Sequence, residues 1–118
     1  MFRIEGSKII LSRGDTGIVT IGVSGYTFSS IDRALFTVSD GGGEVKMRRE
    51  LEIEDNVVTI EFVNSDTDSL PSGTYQWDIR FVMNPIYDSE SGEIMDGDEV
   101  NTPELPMTLQ LLPTVGQI

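Results

Sequence analysis

Gly73-Thr74-Tyr75-Gln76-Trp77-Asp78-Ile79-Arg80-Phe81-Val82-Met83 decides the fold. Read at period two, it places Tyr75, Trp77, Ile79, Phe81 and Met83 on one face and Thr74, Gln76, Asp78, Arg80 and Val82 on the other. Strict alternation over this length marks a half-buried strand. Trp77 is the single tryptophan of the chain. Aromatic rings bury large apolar areas, so the stretch reads as a central strand.

The segments before it carry the same period. Phe2–Glu5 and Lys8–Ser12 are short extended runs split by Gly6-Ser7, and Arg13-Gly14-Asp15 then reads as a turn. Arg-Gly-Asp is also an integrin-binding tripeptide, but glycine and aspartate between two β-type runs are what a tight turn requires. Residues 16–23 alternate Ile18, Thr20 and Gly22 against Val19, Ile21 and Val23. Residues 33–40 face Ala34, Phe36 and Val38 inward, and Gly41-Gly42-Gly43 turns the chain into a returning strand at 45–53. That glycine run lacks the Gly-Lys-Ser/Thr spacing and the strand-to-helix setting of a phosphate loop. Arg48 and Arg49 form the most basic patch of the chain and read as salt-bridge partners on a solvated strand. A strand at 57–63 points Val58, Ile60 and Phe62 inward, and residues 64–73 predict one helical turn that anchors Leu70 and stops at Pro71.

After Met83 an acidic hairpin is expected, with arms at Ile86-Tyr87 and at 93–95. A last strand is expected over 100–112, with Leu105, Met107, Leu109 and Leu111 on one face. Pro103 and Pro106 cannot donate to a ladder, which puts its first half at an edge or a bulge. Short strands at about ten-residue spacing without a long helical period are the pattern of a sandwich. The expected class is therefore all-β: an immunoglobulin-like antiparallel β-sandwich of seven to eight strands with a protruding acidic hairpin. It spans residues 1–113, followed by a C-terminal tail at 114–118.

The chain has 118 residues, which fits one domain. Its net charge of −12 opposes nucleic acid as a partner and disfavours anionic membranes. It contains neither cysteine nor histidine. Disulfides, thiolate or imidazole metal sites, and Ser-His or Cys-His nucleophile systems therefore have no residues to use. The N-terminus shows no apolar run of signal-peptide length and no stretch reaches a membrane span, so no membrane insertion is expected. No catalytic set is evident, and the chain is expected not to be an enzyme.

Two kinds of site remain. Asp88, Glu90, Glu93, Asp96, Asp98 and Glu99 crowd the acidic hairpin. Oxygen ligands at alternating positions around a tight turn suit calcium, a hard cation that takes six to eight oxygens. With Asp88 as position one, Glu99 stands at position twelve, so Asp88, Glu90 and Glu99 are candidate metal ligands. The glycine falls at position five where the helix-flanked calcium loop has it at six, and no helical period flanks it. A solvated hairpin tip is the competing reading. The second kind is a contact surface. Tyr87, Ile94 and Met95 on the hairpin and Leu109 and Leu111 on the last strand are its candidates. Tyr26, Phe28 and Tyr87 are candidate stacking platforms if the domain instead binds carbohydrate or another surface, with or without calcium.

Leu11-Ser12-Arg13-Gly14-Asp15-Thr16 and the run from Asp66-Thr67-Asp68-Ser69-Leu70-Pro71-Ser72-Gly73 into Thr74-Tyr75-Gln76-Trp77-Asp78-Ile79 resemble small phage or prophage tail and baseplate proteins with an immunoglobulin-like domain. The Asn101-Thr102-Pro103 step after the acidic hairpin extends the likeness over most of the chain. It is similar to the N-terminal domain of the baseplate upper protein, whose relatives continue into a helical stalk that these 118 residues do not show. The resemblance implies a virion structural or assembly component at the baseplate or tail tip. Its location would be the virion tail, assembled in the bacterial host cytoplasm. Its partners would be other virion or tail proteins, with a homo-oligomer among the arrangements. It brings over no catalytic or ligand residues.

Overall fold

The computed structural model describes residues 2–5, 8–23, 26–101 and 107–113, with backbone alone for 2–5 and 99–101. The elements run β1 (Phe2–Glu5), β2 (Lys8–Ser12), β3 (Gly17–Gly22), β4 (Arg33–Ser39), β5 (Val45–Glu52), β6 (Val57–Phe62), α1 (Asn64–Thr67), β7 (Gly73–Tyr87), β8 (Ile94–Asn101) and β9 (Thr108–Leu112). The domain is an all-β sandwich. One sheet has the order β1-β2-β9-β7-β4-β5, with β8 added to β7, and the other is the antiparallel pair β3-β6. No helix among the described residues is long and apolar enough to cross a membrane.

β7 is central because both of its edges are used. Residues 76–82 pair antiparallel with β4 on one edge. On the other edge, residues 73–76 pair with β9 and residues 80–87 with β8. Its inward face buries Tyr75, Trp77, Ile79 and Phe81, as the alternation requires. Phe36 of β4 meets Trp77 at 5.8 Å and Phe62 of β6 at 5.9 Å between ring centroids, the latter edge-on. These three rings lock the two sheets together, with Val19, Val58 and Ile60 closing the small-sheet side.

Two details tie this sandwich to the immunoglobulin pattern. The Tyr75 hydroxyl donates to the Pro71 carbonyl oxygen at 2.6 Å. That is the tyrosine corner, a hydroxyl reaching back a few residues at the start of the strand. Two residues later, where antibody domains place the second cysteine of their inter-sheet disulfide, this chain has Trp77. A ring packed on Phe36 fills that space in a chain without cysteine.

The structure differs from the expected strand pattern in three ways. Nine strands are present among the described residues, and the hairpin arms are extensions of β7 and β8. The expected 100–112 strand is two strands, β8 ending at Asn101 and β9 resuming at Thr108. Residues 102–106 between them, Pro103, Leu105 and Pro106 included, and the 114–118 tail lie outside the described residues. The third difference is that β2 and β9 pair in parallel, Ile9 opposite Leu109 and Leu111 opposite Leu11. No tight turn joins these distant segments, so none forces them antiparallel.

The hairpin leaves the sheet through a bulge. Asn84 takes φ +53, a left-handed conformation that asparagine tolerates. Between Met83 and Ile86 the register against β8 shifts. At the tip, Glu93 and Ile94 line a cavity of about 100 Å³ together with Leu35, Arg48 and Glu50 of β4 and β5. β8 lies on the far edge of β7 from β4, so the tip reaches these residues by bending back over the outer face of the large sheet. The hairpin expected to protrude is thus a flap. It explains why Val82, on the outward side of the alternation, is 0% exposed. Gly97 of β8 sits directly on Val82.

Candidate functional site

One end of the sandwich gathers three connections. They are the loop before β4, the turn joining β5 to β6, and the base of the β7–β8 hairpin. The loop before β4 holds Asp32, which is 4% exposed. Its carboxylate accepts from the Ser29 N–H at 2.7 Å and from the Asn84 N–H at 3.1 Å. A buried carboxylate satisfied by two backbone donors pins this loop to the hairpin bulge. Arg33 straps the same loop by donating to the carbonyls of Ser30 and Asp32, at 2.7 and 2.9 Å.

The β5–β6 turn is equally constrained. Asp55 and Asn56 take φ +51 and +58, the twist of a type I′ hairpin turn. Glu54 and Val57 exchange two backbone hydrogen bonds across it. Asn56 accepts at its carbonyl from the Val23 N–H and donates through its side chain to the Tyr26 carbonyl, both at 2.8 Å. Phe28 stacks 5.4 Å from Phe81 of the core and 6.2 Å from Tyr26. The loop before β4 is therefore tied both to the β5–β6 turn and to the base of the hairpin. Tyr26, Ile31, Ile86, Tyr87 and Met95 stand exposed on it and on the hairpin, Met95 at 67%. The β5–β6 turn and the hairpin also carry exposed carboxylates, Glu52, Glu54 and Asp55 on the one and Asp96 and Asp98 on the other. A cleft of about 520 Å³ opens beside them between β5 and β6, walled by Glu50, Glu52, Glu54 and Asp55.

The expected site residues fare differently. Tyr87 and Met95 are exposed and Ile94 is half-buried, facing Tyr87 across the hairpin ladder. Leu109 and Leu111 are each 1% exposed and pack in the core, so they do not belong to a contact surface. Period two assigned them correctly to one face, but that face is the inner one. Phe28 is anchored on Phe81 and is half-buried, which leaves Tyr26 and Tyr87 as the open aromatic rings of the three.

Of the three candidate calcium ligands, Asp88 and Glu90 have described side chains. Asp88 serves the hairpin turn: its carboxylate accepts from the Glu90 N–H at 2.9 Å and its carbonyl from the Gly92 N–H at 2.9 Å. Glu99 stands opposite Val82 in the ladder, six residues before Asp88 on β7. The Glu99 side chain lies outside the described part of the structure. Among the described residues no three acidic side chains gather closely enough to hold a metal ion.

The Arg13-Gly14-Asp15 turn is built into the fold. The Asp15 carboxylate accepts from the Ser12 N–H at 2.9 Å, the Gly14 N–H donates to Thr67 Oγ1 at 2.9 Å, and the Arg13 guanidinium donates to the Asp68 carbonyl at 2.7 Å. The tripeptide thus docks α1 onto β2. Arg49 likewise acts structurally, pairing with Asp66 at 2.7 Å to tie β5 to α1.

Sequence reasoning passed over Asp32, Asn84, Asn56 and Gly97. Asp32 follows Ser29 by three residues, the spacing at which an aspartate captures a preceding backbone N–H, and that signal was available. Compared with protein-family models, curated proteins and solved structures, the chain matches none.

Proposed function

We propose that this chain is a structural contact domain of a bacteriophage or prophage tail, at the baseplate or tail tip, working through protein–protein contacts. One observation carries the contact role: large apolar side chains stand exposed at the loop end, Tyr26 and Ile31, and on the hairpin that leaves it, Ile86, Tyr87 and Met95, in company with exposed carboxylates. An apolar centre with a polar rim is the anatomy of a protein interface. The carboxylate-walled cleft at its side makes a basic partner surface the complementary one. The tail setting rests on the resemblance of the 11–16 and 66–79 runs to small tail proteins.

The test uses antibody raised against this chain on particles induced from the strain that encodes it. Gold label at the tail ends in electron micrographs, with the chain found in purified particles by mass spectrometry, is the expected result. Purified particles that lack the chain overturn the tail assignment. Particles that carry the chain equally well with Ile31→Asp and Met95→Asp overturn the loop end as the contact.

A further inference from the structure

The sandwich leaves several strand edges without a partner strand among the described residues, and all but one of those with described side chains carry a guard. β5 alternates exposed Lys46, Arg48, Glu50 and Glu52 along its edge. β6 is closed at one end by the Glu54 bridge and at the other by Arg49, which donates to the Glu61 carbonyl. β8 is acidic and bulged. Charges, bulges and covers of these kinds prevent unwanted strand pairing. β3 has none of them. Residues 16–23 contain no charged side chain in a chain of net charge −12.

The backbone of β3 is aimed for pairing. The Val23 N–H bonds to Asn56, on the β6 side. Backbone groups alternate sides along a strand, so Val19 and Ile21 also turn theirs toward β6. Ile18, Thr20 and Gly22 turn theirs outward, to the edge where no described strand lies. The same conclusion follows from β6, where Val57, opposite Gly22, spends its backbone groups on Glu54. The side chains of these three residues are exposed, Ile18 at 58%.

We infer that β3 is a homotypic edge: two copies of this chain pair β3 with β3 antiparallel about a two-fold axis at Thr20, joining two small sheets into one of four strands. A second copy is the occupant because the segment is self-complementary. With Thr20 opposite Thr20 of the other copy, Ile18 falls opposite Gly22, a large residue beside a vacant one, and nothing lies within 4 Å of where a Cβ on Gly22 would be. Every outward N–H and C=O of Ile18, Thr20 and Gly22 then finds a partner. Threonine pairs are favourable cross-strand neighbours. Two copies carrying −12 each repel over most of their surfaces, and the uncharged edge is where approach is least opposed. This inference does not depend on the tail assignment.

Light scattering after size exclusion tests it, across a concentration series of the full chain, in the wild type and in Thr20→Lys. Thr20 is exposed, and a melting curve verifies that the variant folds. The wild type is expected to rise with concentration to twice the 13.0 kDa chain mass. Thr20→Lys, which sets two ammonium groups face to face, is expected to stay at the single-chain mass. Amide exchange should slow at Ile18, Thr20 and Gly22 as the wild-type dimer forms. A wild-type chain that remains monomeric at millimolar concentration overturns the inference and leaves the edge to a strand of another protein. A dimer that survives folded Thr20→Lys, or that forms without protecting these three amides, overturns it as well.

Discussion

Replacing Gly97 with alanine tests how the hairpin is seated. Gly97 has φ +153, a backbone region that residues with side chains rarely occupy. A Cβ there overlaps Val82 Cγ1 and lies 3.2 Å from the Met83 carbonyl oxygen and 3.3 Å from Pro85 Cα. Two of these neighbours are backbone, so a rotamer change at Val82 relieves only part of the clash. The conformation costs about 1–3 kcal/mol, and overpacking adds about 1–3 kcal/mol. The hairpin can escape by lifting off, which exposes Val82 and weakens the cover over Leu35. Losing the burial of one such side chain costs about 1.5–3 kcal/mol. The cheaper route sets the net loss, about 1.5–3 kcal/mol. Urea unfolding followed by Trp77 fluorescence reads it: the midpoint falls while the slope stays near the wild-type value. A loss below about 0.5 kcal/mol, the scale of an ordinary surface substitution, refutes the close seating of Gly97 on Val82.

Further outcomes follow from the same structure. Trp77→Ala removes the ring that fills the centre between the sheets and is expected to lose about 3–5 kcal/mol in urea unfolding; near wild-type melting would contradict the central place of β7. Asp32→Ala strands two backbone N–H donors and is expected to lose about 1–3 kcal/mol, with faster exchange at the Asn84 amide; an unchanged amide would mean that the carboxylate is not the pin. The Asp40 carboxylate is held below the ordinary value of 3.8, chiefly by the hydrogen bond with the Glu44 backbone. A depressed carboxyl stabilises the fold above its unfolded value, and that contribution disappears as pH falls through the folded value. An NMR titration should therefore give Asp40 a midpoint below that of an unstructured aspartate; one at or above it contradicts the turn geometry. Calcium at millimolar concentration is expected to leave the melting temperature unchanged relative to chelator, because the Asp88 carboxylate is engaged in its own turn and no three acidic side chains gather among the described residues; a shift of several degrees would contradict this.

The all-β class was legible because alternation is local. Ala34, Phe36 and Val38, like Val58, Ile60 and Phe62, needed no knowledge of the rest of the chain to be placed on one face. Alternation does not say whether that face points inward. Leu109 and Leu111 share a face in the sequence as in the structure, yet only the parallel pairing of β9 with β2 shows that it is buried. Val82 failed for the opposite reason: it lies on the polar side of its strand and is covered by a hairpin returning from later in the chain. The bend of that hairpin depends on the left-handed Asn84 and on the missing side chain at Gly97. Both are long-range fits, invisible at period two. The hairpin was partly legible, since Tyr87 and Met95 are exposed as their positions in it implied. The carboxylate spacing from Asp88 to Glu99 says nothing of the backbone that carries it, which in the structure is a bulged two-stranded ladder with Glu99 opposite Val82.

The hydrogen bonds at the loop end predict that the sandwich presents this end preformed. Amide hydrogen exchange on the isolated chain tests it most directly, residue by residue. The Val23, Val57 and Asn84 amides, bonded to Asn56, Glu54 and Asp32, are predicted to exchange nearly as slowly as Ile79 at the centre of β7. Exchange of these three at the rate of an unstructured peptide, with Ile79 still protected, would contradict a preformed contact surface.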